Sequence, residues 1–244
     1  MRPLSTAELL AGWEQGSSAP AYARTFPLLA AACPDLSHEA ITQLSVGRRD
    51  ARLLKLREWT FGAQLLSVAN CLSCGERLEW SVNTVDLQVD PDNEPSGEMK
   101  LDTGPYSVRF RLPTSLDVAA VVDTQDPAIA QTLLLERCVL EARFETREIG
   151  AKELTAEVTN AIARRMGEAD PQADIQFDLT CPACGHCWQA LLDIESYFWT
   201  ELSAWAKRVF AEVHVLASAY GWRELDILNL SSFRRQYYLD LVSG

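Results

Sequence analysis

Long apolar runs are missing from this 244-residue sequence: no stretch approaches the roughly twenty uninterrupted apolar residues that a membrane span requires. The N-terminal MRPLSTAELLAGWEQG turns polar within a few residues and lacks the basic, then apolar, then small-residue order of a secretory leader. The expectation is a soluble cytoplasmic protein without a membrane partner. Basic residues are also scarce, 22 Lys and Arg against 34 Asp and Glu, and the net charge of −12 repels phosphate backbones, which argues against nucleic acid as a partner. Phosphate-binding glycine motifs of the forms GxGxxG and GxxxxGK[ST] are absent. Histidine occurs three times, and His38-Glu39 lacks the second His of a metalloprotease helix. A zinc deaminase needs Pro before its second Cys pair, where this chain has Thr180. The expectation is therefore a protein with no catalytic residues and no small-molecule substrate.

Cysteine is present in a telling pattern. Four of the seven cysteines form two knuckles, Cys71-Leu-Ser-Cys74-Gly75 and Cys181-Pro-Ala-Cys184-Gly185. In each CxxC turn two sulfurs approach one metal from the same side, and the following Gly lets the backbone turn without a Cβ clash. Two such turns complete a closed tetrahedral site of the kind that holds structural zinc, with Cys71, Cys74, Cys181 and Cys184 as ligands; the same sulfurs also suit iron. An odd cysteine count fits a reducing compartment better than a disulfide framework. Cys187 reads as a small residue on the strand leaving the second knuckle, beside His186, while Cys33 and Cys138 read as core residues in helical settings.

Alternation flanks both knuckles. Leu65 and Val68 precede the first, and Leu78, Trp80 and Val82 follow it; Ile175, Phe177 and Leu179 lead into the second, and Trp188, Ala190 and Leu192 lead out. Each knuckle therefore tops a β-hairpin. Before them, Ser5-Thr-Ala-Glu8 forms a capping box, a short apolar helix ends near Pro34, and a charged helix runs to about Trp59 before Gly62. Between them lie a polar loop at 90–100, a strand with Tyr106, Val108, Phe110 and Leu112, a helix opened by Pro113-Thr-Ser, and helices over about 127–143 and 151–166. Beyond them, Trp199, Leu202, Ala206, Val209, Phe210, Val213 and Ala217 share one helix face ending at Gly221. Two shorter helices follow, Glu224 to Leu228 and Phe233 to Val242.

The last quarter gathers Trp, Tyr and Arg, residue types prominent in binding hot spots. The segment at 44–62, the knuckles CLSCGERLEW and CPACGHCW, and the ending LASAYGWRELDILNLSSFRRQYYLDLV resemble the zinc-ribbon proteins encoded with phage-tail-like contractile injection systems, which are related to the baseplate hub assembly chaperones of T-even-type phages. These segments cover well under half of the chain, and the insert at about 83–174 matches only in plan. The resemblance implies an assembly role whose partners are baseplate, hub or tail proteins of a contractile particle, contacted through Trp222, Ile227, Leu228, Arg234 and Tyr238. An acidic zinc-ribbon adaptor in an unrelated complex is the alternative.

The expected fold class is α+β: a split zinc ribbon with an inserted α/β module between helical ends. Its parts are a helical region at 1–62, a first hairpin at 63–89, a strand–helix module at 90–174, a second hairpin at 175–194 and a helical partner-binding region at 195–244.

Overall fold

The computed structural model describes residues 1–89 and 97–243. Helices α1 (Thr6–Ser17), α2 (Phe26–Ala32), α3 (His38–Thr42) and α4 (Val46–Phe61) come first, followed by the hairpin β1 (Gln64–Asn70) and β2 (Arg77–Asn83). Strands β3 (Glu98–Thr103) and β4 (Tyr106–Arg111), helices α5 (Ser115–Ala119) and α6 (Pro127–Cys138), strands β5 (Val139–Phe144) and β6 (Arg147–Ile149) and helix α7 (Ala156–Ala169) make up the insert. The second hairpin, β7 (Gln176–Thr180) and β8 (Cys187–Leu191), leads into α8 (Ile194–Tyr220), α9 (Glu224–Leu228) and α10 (Ser232–Ser243). The chain is an α+β protein.

Three apolar clusters organise it. The first joins α1, α2, α4 and the start of α8, through Leu28, Leu29, Leu53, Leu54, Leu56 and Phe198, and reaches Leu65 at the base of the first hairpin and Leu192 at the exit of the second. Both hairpins thus rise from one scaffold. Helix α4 runs into β1 through Gly62, whose φ of +94° requires glycine, while β8 feeds α8 through Asp193, which caps the N–H of Ser196. The two helices are tied by a bidentate pair, Arg57 Nε and Nη2 donating to Glu201 at 2.8 Å each, and by Phe61 set edge-on to Phe198.

The second cluster lies within the insert, where the antiparallel sheet β3-β4-β5-β6 packs Val108, Phe110 and Ala142 against Val158 and Ile162 of α7. Three expectations change here. The helix over 127–143 stops at Cys138, because Val139 takes an extended conformation and residues 139–144 pair with β4, burying Ala142. The loop at 90–100 gives way to β3 from Glu98, with Met99 and Leu101 against the core; its residues 90–96 lie outside the described residues. The helix over 151–166 is a 3₁₀ turn at 151–153 followed by α7, which runs to Ala169. The third cluster packs α8 on α1, α9 and α10, with Leu216, Ile227 and Leu228 inside. On α8, Phe198 and Leu216 take the central buried positions, and Trp199 and Ala217 flank them.

The insert is pinned to the start of α4. Ser45 caps the helix through Arg48 N–H, and Asp170 Oδ2 of the returning loop accepts from Gly47 N–H at 2.9 Å. Val46 N–H donates to Pro113 O, and the buried Arg49 guanidinium reaches Ser115 Oγ at 2.9 Å, Asp50 at 2.7 Å and Glu195 at 2.7 Å. One arginine therefore ties α4, α5 and α8 together.

Candidate metal centre

The two knuckles share one geometry. Cys71 N–H donates to Glu76 O and Gly75 N–H to Cys71 O; in the second, Cys181 N–H donates to His186 O and Gly185 N–H to Cys181 O. Gly75 and Gly185 have φ of +77° and +72°, the left-handed region in which a side chain is strained. Each turn closes a hairpin whose inner face meets that of the other. Trp80 of β2 stands edge-on to Phe177 of β7 with ring centroids 5.8 Å apart.

That meeting brings four sulfurs from opposite ends of the insert together. Cys71 Sγ lies 3.6 Å from Cys184 Sγ and Cys74 Sγ 3.6 Å from Cys181 Sγ, and all four lie within 4.8 Å of one another. None is in a disulfide. A tetrahedral ion bonded to sulfur at about 2.3 Å spaces its ligands about 3.8 Å apart, so the cluster has the size such an ion needs. Cys71 and Cys181 are buried, whereas Cys74 and Cys184 face solvent. An ion here would have a dry side toward the hairpins and a wet side at the knuckle tips.

The thiols differ in acidity. Burial pushes the Cys71 thiol up, but the N–H groups of Cys74 and Ser73 and the thiols of Cys184 and Cys181 favour its thiolate and bring it down to about 6. The N–H of Glu76 favours the Cys74 thiolate, but the neighbouring thiols of Cys184, Cys181 and Cys71, together with burial, favour the neutral form, so it is pushed up to about 12. One sulfur of the first knuckle therefore favours the thiolate while its neighbour keeps its proton. A cation among the sulfurs would favour the thiolate form.

Cys187 is exposed on β8, with its Sγ 3.6 Å from Gly185 O and 3.5 Å from Thr180 Oγ1. Cys33 and Cys138 are buried. Burial pushes the Cys138 thiol up to about 11.

A family model described as T4 bacteriophage base plate protein matches residues 27–199. The chain belongs to that family. The match starts inside α2 and ends inside α8, so it takes in both knuckles and the whole insert, and α9 and α10 lie beyond it. No curated protein and no solved structure matches the chain. A phage baseplate-associated role follows from the family membership. Among the described residues, no helix is long and apolar enough to cross a membrane.

The five C-terminal residues expected at a partner surface separate into two groups. Trp222 is half-buried, stacked on Tyr220 with ring centroids 4.7 Å apart and edge-on to Tyr238 at 4.9 Å, and Arg234 is exposed. Ile227, fully buried, and Leu228 are instead core residues beneath α8, because the single turn of α9 must present them inward to bury any apolar surface. The neighbouring Arg235 is also buried, held by Glu212 at 2.9 Å and by Leu230 O. Phe233, 80% exposed, Tyr237 and Leu241, none of them among those five, also lie on the surface. They recur every fourth position on the face of α10 that turns away from α8.

Proposed function

We propose that this protein is a non-enzymatic assembly factor for the baseplate or hub of a contractile, phage-tail-like particle, held in shape by a structural zinc ion in a split zinc ribbon. The observation that carries the reading is the family match over 27–199, which spans the two knuckles whose four cysteines gather at metal-binding distance. Zinc bound by Cys71, Cys74, Cys181 and Cys184 would have no ligand position left for water or substrate, which favours a structural over a catalytic role. The chain would act as a chaperone in the cytoplasm, where baseplate, hub or tail subunits are its partners.

Within this reading, the partner surface is the outer face of the C-terminal helices. Trp222, Tyr238 and Arg234 contribute as the resemblance implies, joined by Phe233, Tyr237 and Leu241, whereas Ile227 and Leu228 support the surface from beneath. The test is co-expression with the baseplate and tail subunits of the same particle. Phe233→Ser together with Tyr237→Ser is expected to lower recovery of a baseplate subunit at least about tenfold, the loss of two exposed aromatic anchors, while thermal unfolding is unchanged. Undiminished recovery would remove the assignment of this surface. Normal particle assembly in a strain lacking the protein would remove the assembly role.

A further inference from the structure

Strand β1 has an edge that no other described strand covers. The parity of its hydrogen bonds is fixed at both ends of the hairpin: Thr84 N–H donates to Ala63 O, and Cys71 N–H donates to Glu76 O. With the register Leu65↔Val82, Ser67↔Trp80 and Ala69↔Leu78, odd-numbered residues of β1 face β2, and the N–H and C=O groups of Gln64, Leu66, Val68 and Asn70 point away from it. One of these outward rungs is already filled by a side chain. Tyr197 of α8 accepts from Leu66 N–H at 3.0 Å and donates to Leu66 O at 2.9 Å, so its hydroxyl does the work of a strand neighbour. The outward groups of Val68 and Asn70 have no counterpart in any hydrogen bond among the described residues.

Side chains along this edge leave it open. Natural edge strands are blunted by charge, proline or bulges. On β2 the exposed pair Arg77 and Glu79, 2.8 Å apart, serves that purpose. Strand β1 is seven residues long without a charge, proline or bulge, and it exposes Leu66 (69%) and Val68 (53%). Beside it runs an open groove of about 510 Å³ between β1 and the first turns of α8, lined by Leu66, Asp193, Ser196, Tyr197, Thr200 and Glu201. Its two ionisable side chains apart from Tyr197 are acidic. Arg57 occupies the Glu201 carboxylate, whereas Asp193 is exposed, with one oxygen committed to the Ser196 N–H.

We propose that the outer edge of β1 is a docking strand. An extended segment of a partner protein, with apolar residues alternating along it and a basic residue facing Asp193, would add to the first hairpin as a third strand. Its backbone pairs with Val68 and Asn70 and displaces the Tyr197 hydroxyl from Leu66; its apolar side chains cover Leu66 and Val68. Main-chain bonds would supply affinity, and the acidic groove would select the basic end. This surface lies within the family-matched part of the chain, separate from α10, and needs no assumption about which particle the protein serves.

The test uses the full chain and the probe peptide Lys-Val-Thr-Val-Thr-Val-Lys, followed by amide hydrogen exchange. At about 1 mM probe, exchange at Val68 and Asn70 is expected to slow at least about tenfold. Val68→Pro removes an outward N–H that the hairpin does not use, a place where an edge strand tolerates proline. It should weaken probe binding at least about tenfold while the Trp80 and Val82 amides stay protected, which shows that the hairpin persists. Tyr197→Phe vacates the Leu66 rung and should strengthen binding several-fold, about the worth of one hydrogen bond. Unchanged exchange at Val68 and Asn70 in both the wild type and Tyr197→Phe would overturn the proposal, as would full probe binding by a folded Val68→Pro protein.

Discussion

Gly47 shows how one residue can depend on a partner more than a hundred positions away. A Cβ there would collide with the Asp170 carboxylate and lie 2.8 Å from the backbone nitrogen of Ala173, so the returning loop reaches the N-terminus of α4 only because position 47 has no side chain. Gly47→Ala is expected to lower the urea unfolding free energy by about 2 kcal/mol through overpacking and loss of the Asp170 cap. An unchanged midpoint would contradict this account of the junction. Around the same junction, burial pushes the Asp50 carboxyl up to about 6 and Glu195 up to about 7, despite the Arg49 guanidinium between them. A carboxyl raised in the folded state binds more protons there than in the unfolded chain. Its contribution to stability is therefore greatest at low pH and is lost as pH rises from about 4 to about 7. Asp50→Asn should flatten the pH dependence of the unfolding free energy across that window by up to about 1 kcal/mol per pH unit, measured in urea at several pH values. Asp117, held far below the usual carboxylate range, opposes burial with Arg111 and the Thr114 cap, and contributes stability that is lost in strong acid.

Helices and strands were legible in the sequence where their signals were local. The capping box at Ser5 and Glu8, the stop at Gly221 and the alternation around both knuckles all rest on neighbours within four residues, and all recur in the structure. The elements that were not legible depend on distant partners. Residues 139–144 continue a helical pattern on paper, yet they become β5 because β4 offers a ladder and a buried place for Ala142. The cysteine cluster was legible because two short motifs state their geometry outright. The outer face of α10 was not, since its apolar stripe reads as core until α8 is known to cover the opposite side. A paired measurement separates the two faces: Ile227→Ala should cost about 2–4 kcal/mol of stability, whereas Phe233→Ser should leave it within about 0.5 kcal/mol. Equal effects on thermal unfolding would mean that α9 and α10 do not sit as described.

At the scale of the whole molecule, the four cysteines close a loop running from β1 to β8, with the insert suspended between two hairpins that share the α4–α8 scaffold. Phe177 on Trp80 and the Asp170 and Arg49 contacts hold the same arrangement, so metal removal should loosen the knuckles first and leave the helical core in place. Chelation is expected to raise amide exchange at residues 71–75 and 181–185 well before it affects α4 and α8; simultaneous exchange throughout would show that the ion supports the entire fold. The most direct measurement is the metal content of the purified chain. The account expects one zinc ion per chain, lost in a Cys74→Ser, Cys184→Ser double variant. A wild-type protein purified without any bound metal, or a double variant that keeps its full complement, would contradict it.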